Sequence, residues 1–188
     1  MDSNSDNALM LKVKAGDLDK LGLLFERYNR RLFSYFYRLT ADRDLSEDLV
    51  QNVFERILKY RNTYENSGAF STWIYRIARN LHIDHYRKNN YEDMRDDLEN
   101  LDTVKAESTK TEELFDEDNE LLLLNLALER LDAEKKETLI LSRYQGFKYK
   151  EIAAIMHCTE SAVKVRIFRA LNELKEIISE LRKEENYD

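Results

Sequence analysis

This sequence predicts an all-α fold of two helical domains joined by an acidic flexible linker, and three observations predict it. The 188 residues contain no Pro and only four Gly, too few turn formers for a β-sandwich or a doubly wound nucleotide-binding sheet. Apolar residues recur at steps of three and four through most of the chain, the period of a helix with one buried face. The surplus acid is confined: residues 91–120 hold 13 acids against 3 bases, whereas 9–90 hold 15 bases against 10 acids and 121–188 hold 12 of each. A segment so charged, without sustained apolar periodicity, reads as a solvated spacer. Domains are therefore expected at 9–90 and 121–182, with 91–120 as the linker.

The elements follow in order. Leu21, Leu24, Phe25, Tyr28, Leu32, Phe36 and Leu39 mark a first long helix, broken over 40–43. Asp44 and Glu47 have capping-box spacing before a second helix that buries Leu49, Val53, Phe54, Ile57 and Leu58. Residues 62–69, with Asn66, Ser67 and Gly68, form a loop by turn chemistry, and Ser71 is placed to cap a third long helix whose inner positions are Ile74, Ile77, Ala78 and Leu81. Beyond the linker, 121–131 is one apolar helix, and Asp132 suits the N-cap of the next, which stops at Gly146. Two shorter patterns, 148–156 and 161–181, flank His157, Cys158 and Thr159. Helix, three-residue turn, helix is the spacing of a helix-turn-helix. Thr159 is positioned as a cap, and His157 as the residue that tolerates a left-handed turn.

Composition also excludes functions. One cysteine, Cys158, forms no intramolecular disulfide, the start lacks a signal-peptide pattern, and the longest apolar run is 121–124, far short of the ~20 residues of a membrane helix. A cytoplasmic protein without membrane insertion is the expectation. His82 and His85 are three apart on a helix, but no spaced partner set accompanies them, so no metal is assigned. Neither a phosphate loop nor a nucleophile elbow is present, so neither an enzyme nor a cofactor is expected.

Binding chemistry is concentrated near the C-terminus, where 143–175 holds seven bases against three acids. On the last helix Ala162, Val163, Ile167, Ala170, Leu171 and Leu174 form an inner stripe, leaving Ser161, Lys164, Arg166, Phe168 and Arg169 for other faces. Such a helix entering a major groove puts cations near base edges and phosphates, and an aromatic near a thymine methyl. On the third helix Arg76, Asn80, Asp84 and Arg87 form a polar stripe, and on the second Asp48, Gln51 and Phe54 share a face. From spacing alone these stripes also suit a stand-alone helix-turn-helix regulator or a helical adaptor.

The motifs narrow the choice. Leu24-Phe-Glu-Arg-Tyr28, Tyr37-Arg-Leu-Thr40, Asp48-Leu-Val-Gln-Asn-Val-Phe54, Phe70-Ser-Thr-Trp-Ile-Tyr-Arg-Ile-Ala-Arg-Asn80, Ile83-Asp84 and Tyr86-Arg-Lys88 resemble sigma domain 2. Leu141-Ser-Arg-Tyr-Gln-Gly-Phe147, Tyr149-Lys-Glu-Ile-Ala153 and Val163-Lys-Val-Arg-Ile-Phe-Arg-Ala170 resemble sigma domain 4, the helix-turn-helix domain. Together they resemble an extracytoplasmic-function (ECF) sigma factor, the small two-domain initiation subunit of bacterial RNA polymerase.

The resemblance implies an alternative sigma factor that binds polymerase core, directs it to particular promoters and promotes strand opening. Its implied partners are the β′ clamp helices and β subunit of RNA polymerase core and promoter DNA, both duplex and melted non-template strand, with room for an anti-sigma factor. It implies that Asp48, Gln51 and Phe54 meet core polymerase. Phe70, Trp73, Arg76, Asn80, Asp84, Arg87 and Lys88, with the loop from Tyr64 to Ser71, would handle the minus-10 element and hold an extruded base. Ser161, Lys164, Val165, Arg166, Phe168 and Arg169 would meet the minus-35 element. The chain departs from the family pattern at Leu131-Asp132, where Leu-Pro is frequent, at His157, where Gly is, and at Val165, where Ser is. The last removes a hydroxyl from the expected reading face.

Overall fold

The computed structural model describes residues 5–99 and 119–185, with side chains over 5–88 and 123–184. Every regular element among them is a helix.

A short helix, α1 (Asp6–Lys14), comes first; Ser5 accepts from the Ala8 amide at its N-cap, and Leu9, Met10 and Val13 are buried. With only those buried apolar residues, α1 gives a weak periodic signal. Then α2 (Asp19–Thr40) buries Leu24, Tyr28, Leu32, Tyr35 and Phe36 and ends where Ala41 turns left-handed, at φ 54°. The cap of α3 (Arg43–Tyr60) is Asp42, which accepts from the Leu45 amide at 2.9 Å. The expected box at Asp44 and Glu47 is therefore two residues out of register: Asp44 lies in the first turn and Glu47 pairs with Arg43 at 3.2 Å. A 3₁₀ turn at Arg61–Thr63 leads into the loop before α4 (Phe70–Glu99).

Two features of α4 differ from expectation. Ser71 lies inside the helix and does not cap it; the Phe70 amide is taken instead by the Asn7 side chain of α1, at 2.8 Å. The helix also continues to Glu99, well past residue 90, because no Gly or Pro between Gly68 and Gly146 stops it. Most of the expected linker, residues 100–118, lies outside the described residues.

The second group of helices begins with α5 (Asn119–Glu129) and α6 (Ala133–Leu139), where Asp132 accepts from the Lys135 amide at 2.9 Å. A π-helical turn at Ile140–Tyr144 follows, then Gly146 at φ 73°. The helix-turn-helix is α7 (Tyr149–Met156) and α8 (Glu160–Glu185), with His157 left-handed at φ 54° and Thr159 accepting from the Ala162 amide at 3.1 Å, as their residue types suggest. Ile152, Ile155, Val163, Ile167 and Ala170 lock the pair together.

The two groups are not apart. α2 and α4 pack directly on the α6–α7 segment, so one continuous apolar core runs through both. Polar groups are set into that core at the seam. Glu137, 6% exposed, accepts from the Tyr35 hydroxyl at 2.7 Å and from Arg79 Nε at 3.2 Å. Gln145 accepts from the Tyr75 hydroxyl at 2.6 Å through its side chain and from Arg31 at 3.0 Å through its carbonyl. Tyr75 meets Phe147 edge-on at 4.8 Å, and the Arg38 guanidinium lies 3.7 Å from the Tyr144 ring centroid.

Candidate nucleic-acid and polymerase surfaces

The α2–α3 face carries an open groove of about 340 Å³ lined by Phe25, Asn29, Arg30, Phe33, Val50 and Gln51, among others. Asp48 and Gln51 are exposed beside it. Phe54 is only 7% exposed and braces Phe25 edge-on at 4.9 Å, so the ring open to a partner is Phe25, 42% exposed. Sequence reasoning put Phe25 in the buried stripe. Four residues after Leu21 and three before Tyr28, it lies on the step of the stripe itself, so periodicity carries no signal that it faces outward.

On α4 the expected minus-10 residues separate into three sets. Phe70 is 1% exposed, packed against Tyr28, Tyr64 and Trp73; Trp73 is half-buried in the same aromatic cluster, 5.1 Å from Tyr64. These rings form a base for the loop and, in this structure, Phe70 presents no face to a ligand. Asn80, Asp84, Arg87 and Lys88 are exposed, with Asp84 paired to Arg56 at 3.1 Å. Arg76 is engaged elsewhere: its Nε donates to the Ala154 carbonyl of α7 at 2.7 Å. Between the loop and α7 lies a cavity of about 570 Å³, walled on one side by Tyr64, Asn66, Gly68 and Trp73 and on the other by Lys150 and Ala154.

The outer face of α8 is open. Ser161, Lys164 and Arg169 are exposed, and Val165 and Phe168, 48% and 67% exposed, form an apolar step between the cations. Lys164 pairs with Glu160 at 3.1 Å, one turn before it. Arg166 faces inward, its guanidinium 2.6 Å from Glu134 and against the Met156 sulfur, so it ties α8 to α6 and α7.

Burial sets the electrostatics of the seam. The Glu137 carboxyl is pushed up by burial, although Arg79 and the Tyr35 hydroxyl oppose the shift. Tyr35 is pushed well above its ordinary value, by burial first and then by Glu137. Beside them the His82 imidazole is lowered to about 4 by burial, with His85, Lys136 and Arg79 adding to the effect. Among the described residues no group of His, Cys, Asp and Glu is arranged to hold a metal, and no helix is long and apolar enough to cross a membrane.

Two family models match: Sigma-70 region 2 over residues 24–91 and Sigma-70 region 4 over residues 121–174. The ECF RNA polymerase sigma-E factor of Escherichia coli is 30% identical over 179 residues, spanning 88% of this chain and 90% of that protein. This chain belongs to the ECF sigma factor family. The ECF RNA polymerase sigma factor BldN of Streptomyces coelicolor is 28% identical over 181 residues, 94% of this chain and 68% of that one. Among solved structures, the sigma factor RpoE of Bartonella quintana, in complex with the anti-sigma factor NepR, matches with a TM-score of 0.67 and 26% identity over 84% of this chain and 96% of that one. As an ECF sigma factor, the chain is an alternative initiation subunit: it binds RNA polymerase core, directs it to promoters and promotes strand opening. Its all-helical, two-domain class is the one the sequence predicts.

Proposed function

We propose that the structure is the closed, resting form of this sigma factor, and that promoter engagement separates its two domains. The observation that carries this is the Arg76–Ala154 bond, which sets the minus-10 helix against the first helix of the minus-35 module. The two promoter elements are roughly 25 base pairs apart on DNA, about 85 Å at a rise of ~3.4 Å per pair. Surfaces in contact do not reach both at once.

In the open form, domain 9–90 meets core polymerase through Asp48, Gln51 and the Phe25 groove, with Phe54 supporting that ring. Arg76, released from α7, joins Asn80, Asp84, Arg87 and Lys88 along the non-template strand, while Phe70 and Trp73 shape the loop beside them. Domain 121–182 reads the minus-35 element with Ser161, Lys164, Val165, Phe168 and Arg169, and Arg166 holds their helix in place. The chain acts by binding rather than by catalysis, in the bacterial cytoplasm and at the nucleoid once in holoenzyme. An anti-sigma factor, of the kind seen with the Bartonella relative, would act by holding the closed form.

Run-off transcription with core polymerase, with and without the chain, tests the activity. Opening is read by energy transfer between dyes on exposed positions in each domain, Glu55→Cys and Lys175→Cys in a Cys158→Ser background. Transfer is expected to be high in the free chain and to collapse in active holoenzyme. Active transcription with unchanged transfer overturns the proposal.

A further inference from the structure

The loop between α3 and α4 is held from outside the region that matches the family. Asn7 of α1 lies before residue 24, where that match begins, yet its side chain uses both its donor group and its acceptor on the loop. Nδ2 donates to Asn66 Oδ1 at 2.7 Å and to the Gly68 carbonyl at 2.8 Å, while Oδ1 accepts from the Phe70 amide at 2.8 Å. Seven residues further along, Lys14 Nζ donates to the Tyr64 carbonyl at 2.6 Å. The loop is thus pinned at both ends by one helix.

The brace is itself anchored. Leu9, Met10 and Val13 have no exposed surface, and Asp6 receives both Arg27 and the Tyr28 hydroxyl from α2. The pinned loop needs such support. Asn66 sits at φ 55°, in the left-handed region that Asn tolerates better than most residues with a side chain, and the six residues 64–69 have no helix or strand to fix them. The first amide of α4 would also be unpaired without Asn7, as the first amides of a helix are.

We infer that Asn7 is a positioning residue for strand opening: it fixes the shape of the loop before DNA arrives, so that ordering the loop is not charged against binding of the melted strand. This rests on the reading above that the loop and α4 handle the non-template strand. Asn7 touches no base; it acts through Asn66, Gly68 and Phe70.

The test uses holoenzyme assembled from core polymerase and the full chain. The probe is a single-stranded oligonucleotide carrying the minus-10 sequence of a promoter that this holoenzyme transcribes, with counterparts made abasic at each position in turn. Wild type is expected to lose affinity at one or more abasic positions. Asn7→Ala is expected to weaken the intact strand about tenfold, equivalent to ~1.4 kcal/mol, while leaving the sensitive abasic strand unchanged, so that discrimination disappears with assembly intact. Asn7→Asp keeps the acceptor for the Phe70 amide but loses both donors to the loop; it is expected to lose discrimination as well. Lys14→Met, away from the core, gives a smaller loss in the same direction and guards against a folding defect in the first variant. If wild type discriminates and Asn7→Asp does so equally, Asn7 merely caps α4 and the inference is wrong. If wild type is indifferent to every abasic position, the loop holds no base, and the reading beneath the inference falls with it.

Discussion

The interiors of the two domains and the seam between them are built from different chemistry. Inside the first domain, Leu24, Leu32, Phe36, Val53, Ile57 and Ile74 interlock, and inside the second Ile152, Ile155, Val163 and Ile167 do the same. At the seam the polar contacts are Tyr35 and Arg79 on Glu137, Tyr75 and Arg31 on Gln145, Arg76 on the Ala154 carbonyl, and Lys136 on the Leu39 carbonyl. Apolar burial is favourable wherever it occurs, whereas a buried ion pair regains little more than its desolvation cost. Burial pushes the Glu137 carboxyl up, in the direction that such a cost requires. Each domain is therefore held together firmly, while the seam has a defined geometry at a modest net free energy, as suits the proposed opening.

The comparison breaks most sharply at Glu137. Glu137→Ala removes the acceptor of both Arg79 and Tyr35, and stranding one half of a buried pair costs about 3–5 kcal/mol. The loss should fall on closure and not on folding. Leu24→Ala costs a similar ~2–5 kcal/mol but should lower the melting temperature of the first domain. In the energy-transfer experiment Glu137→Ala is expected to open the free chain while its circular dichroism stays helical, and to raise the affinity of the free chain for melted minus-10 strand by uncovering Arg76. A closed Glu137→Ala chain would mean that the apolar contacts, Tyr75 against Phe147 above all, carry the seam.

The seam was the least legible part of the sequence, and the reason is physical. Tyr35, Tyr75, Arg79, Glu137 and Gln145 look like residues of a wet face, because a periodic reading sees hydropathy and not the partner that makes a polar group buriable. The helices themselves were legible where apolar steps are long and regular, as from Leu21 to Leu39. α1 was not: its short run has a partner in the loop some 60 residues away, through Asn7 and Asn66. Local chemistry was read well where only one candidate existed, at Asp132, His157 and Thr159. It slipped by two residues where Asp42 and Asp44 competed for one cap, since the left-handed Ala41 that decides between them has no sequence signature. The site residues divided the same way: exposed Asn80, Lys164 and Phe168 lie where a helical wheel puts them, but Arg76 and Arg166 are drawn into contacts with Ala154 and Glu134 that no wheel contains.

A smaller effect sharpens the comparison through pH. His82 has its proton affinity lowered on folding from an ordinary 6.5 to about 4, so the fold holds it neutral. A group depressed in this way contributes its full stability above its ordinary value and loses it as pH falls toward the folded one. Between pH 7 and 5 the chain should therefore lose on the order of 1 kcal/mol, read as a fall of about 2–4 °C in melting temperature. Glu137 works in the opposite sense: raised by burial, its contribution is complete below the ordinary carboxylate value and lost as pH rises through the raised one. His82→Gln should flatten the slope from pH 7 to 5. A slope that survives the substitution belongs to another group.

The smallest effects separate anchoring from reading on α8, and they repeat on one helix the contrast between interior and open surface. Arg166 is mostly covered and bound to Glu134, whereas Lys164 and Arg169 are exposed. The sequence makes Arg166 a minus-35 contact; in the structure it is a tie between helices, with an exposed partner worth about 0–1 kcal/mol. Arg166→Ala should therefore lower the melting temperature slightly and leave the salt dependence of promoter binding by holoenzyme unchanged. Lys164→Ala and Arg169→Ala should leave melting unchanged. Where either meets phosphate, the slope of log affinity against log salt should fall by about one; where either meets a base edge, preference should relax at particular positions of a promoter library randomised across the minus-35 element. If Arg166→Ala is the variant that reduces the salt slope, the guanidinium leaves Glu134 when DNA arrives, and the inner face of this helix rearranges on binding instead of arriving preformed.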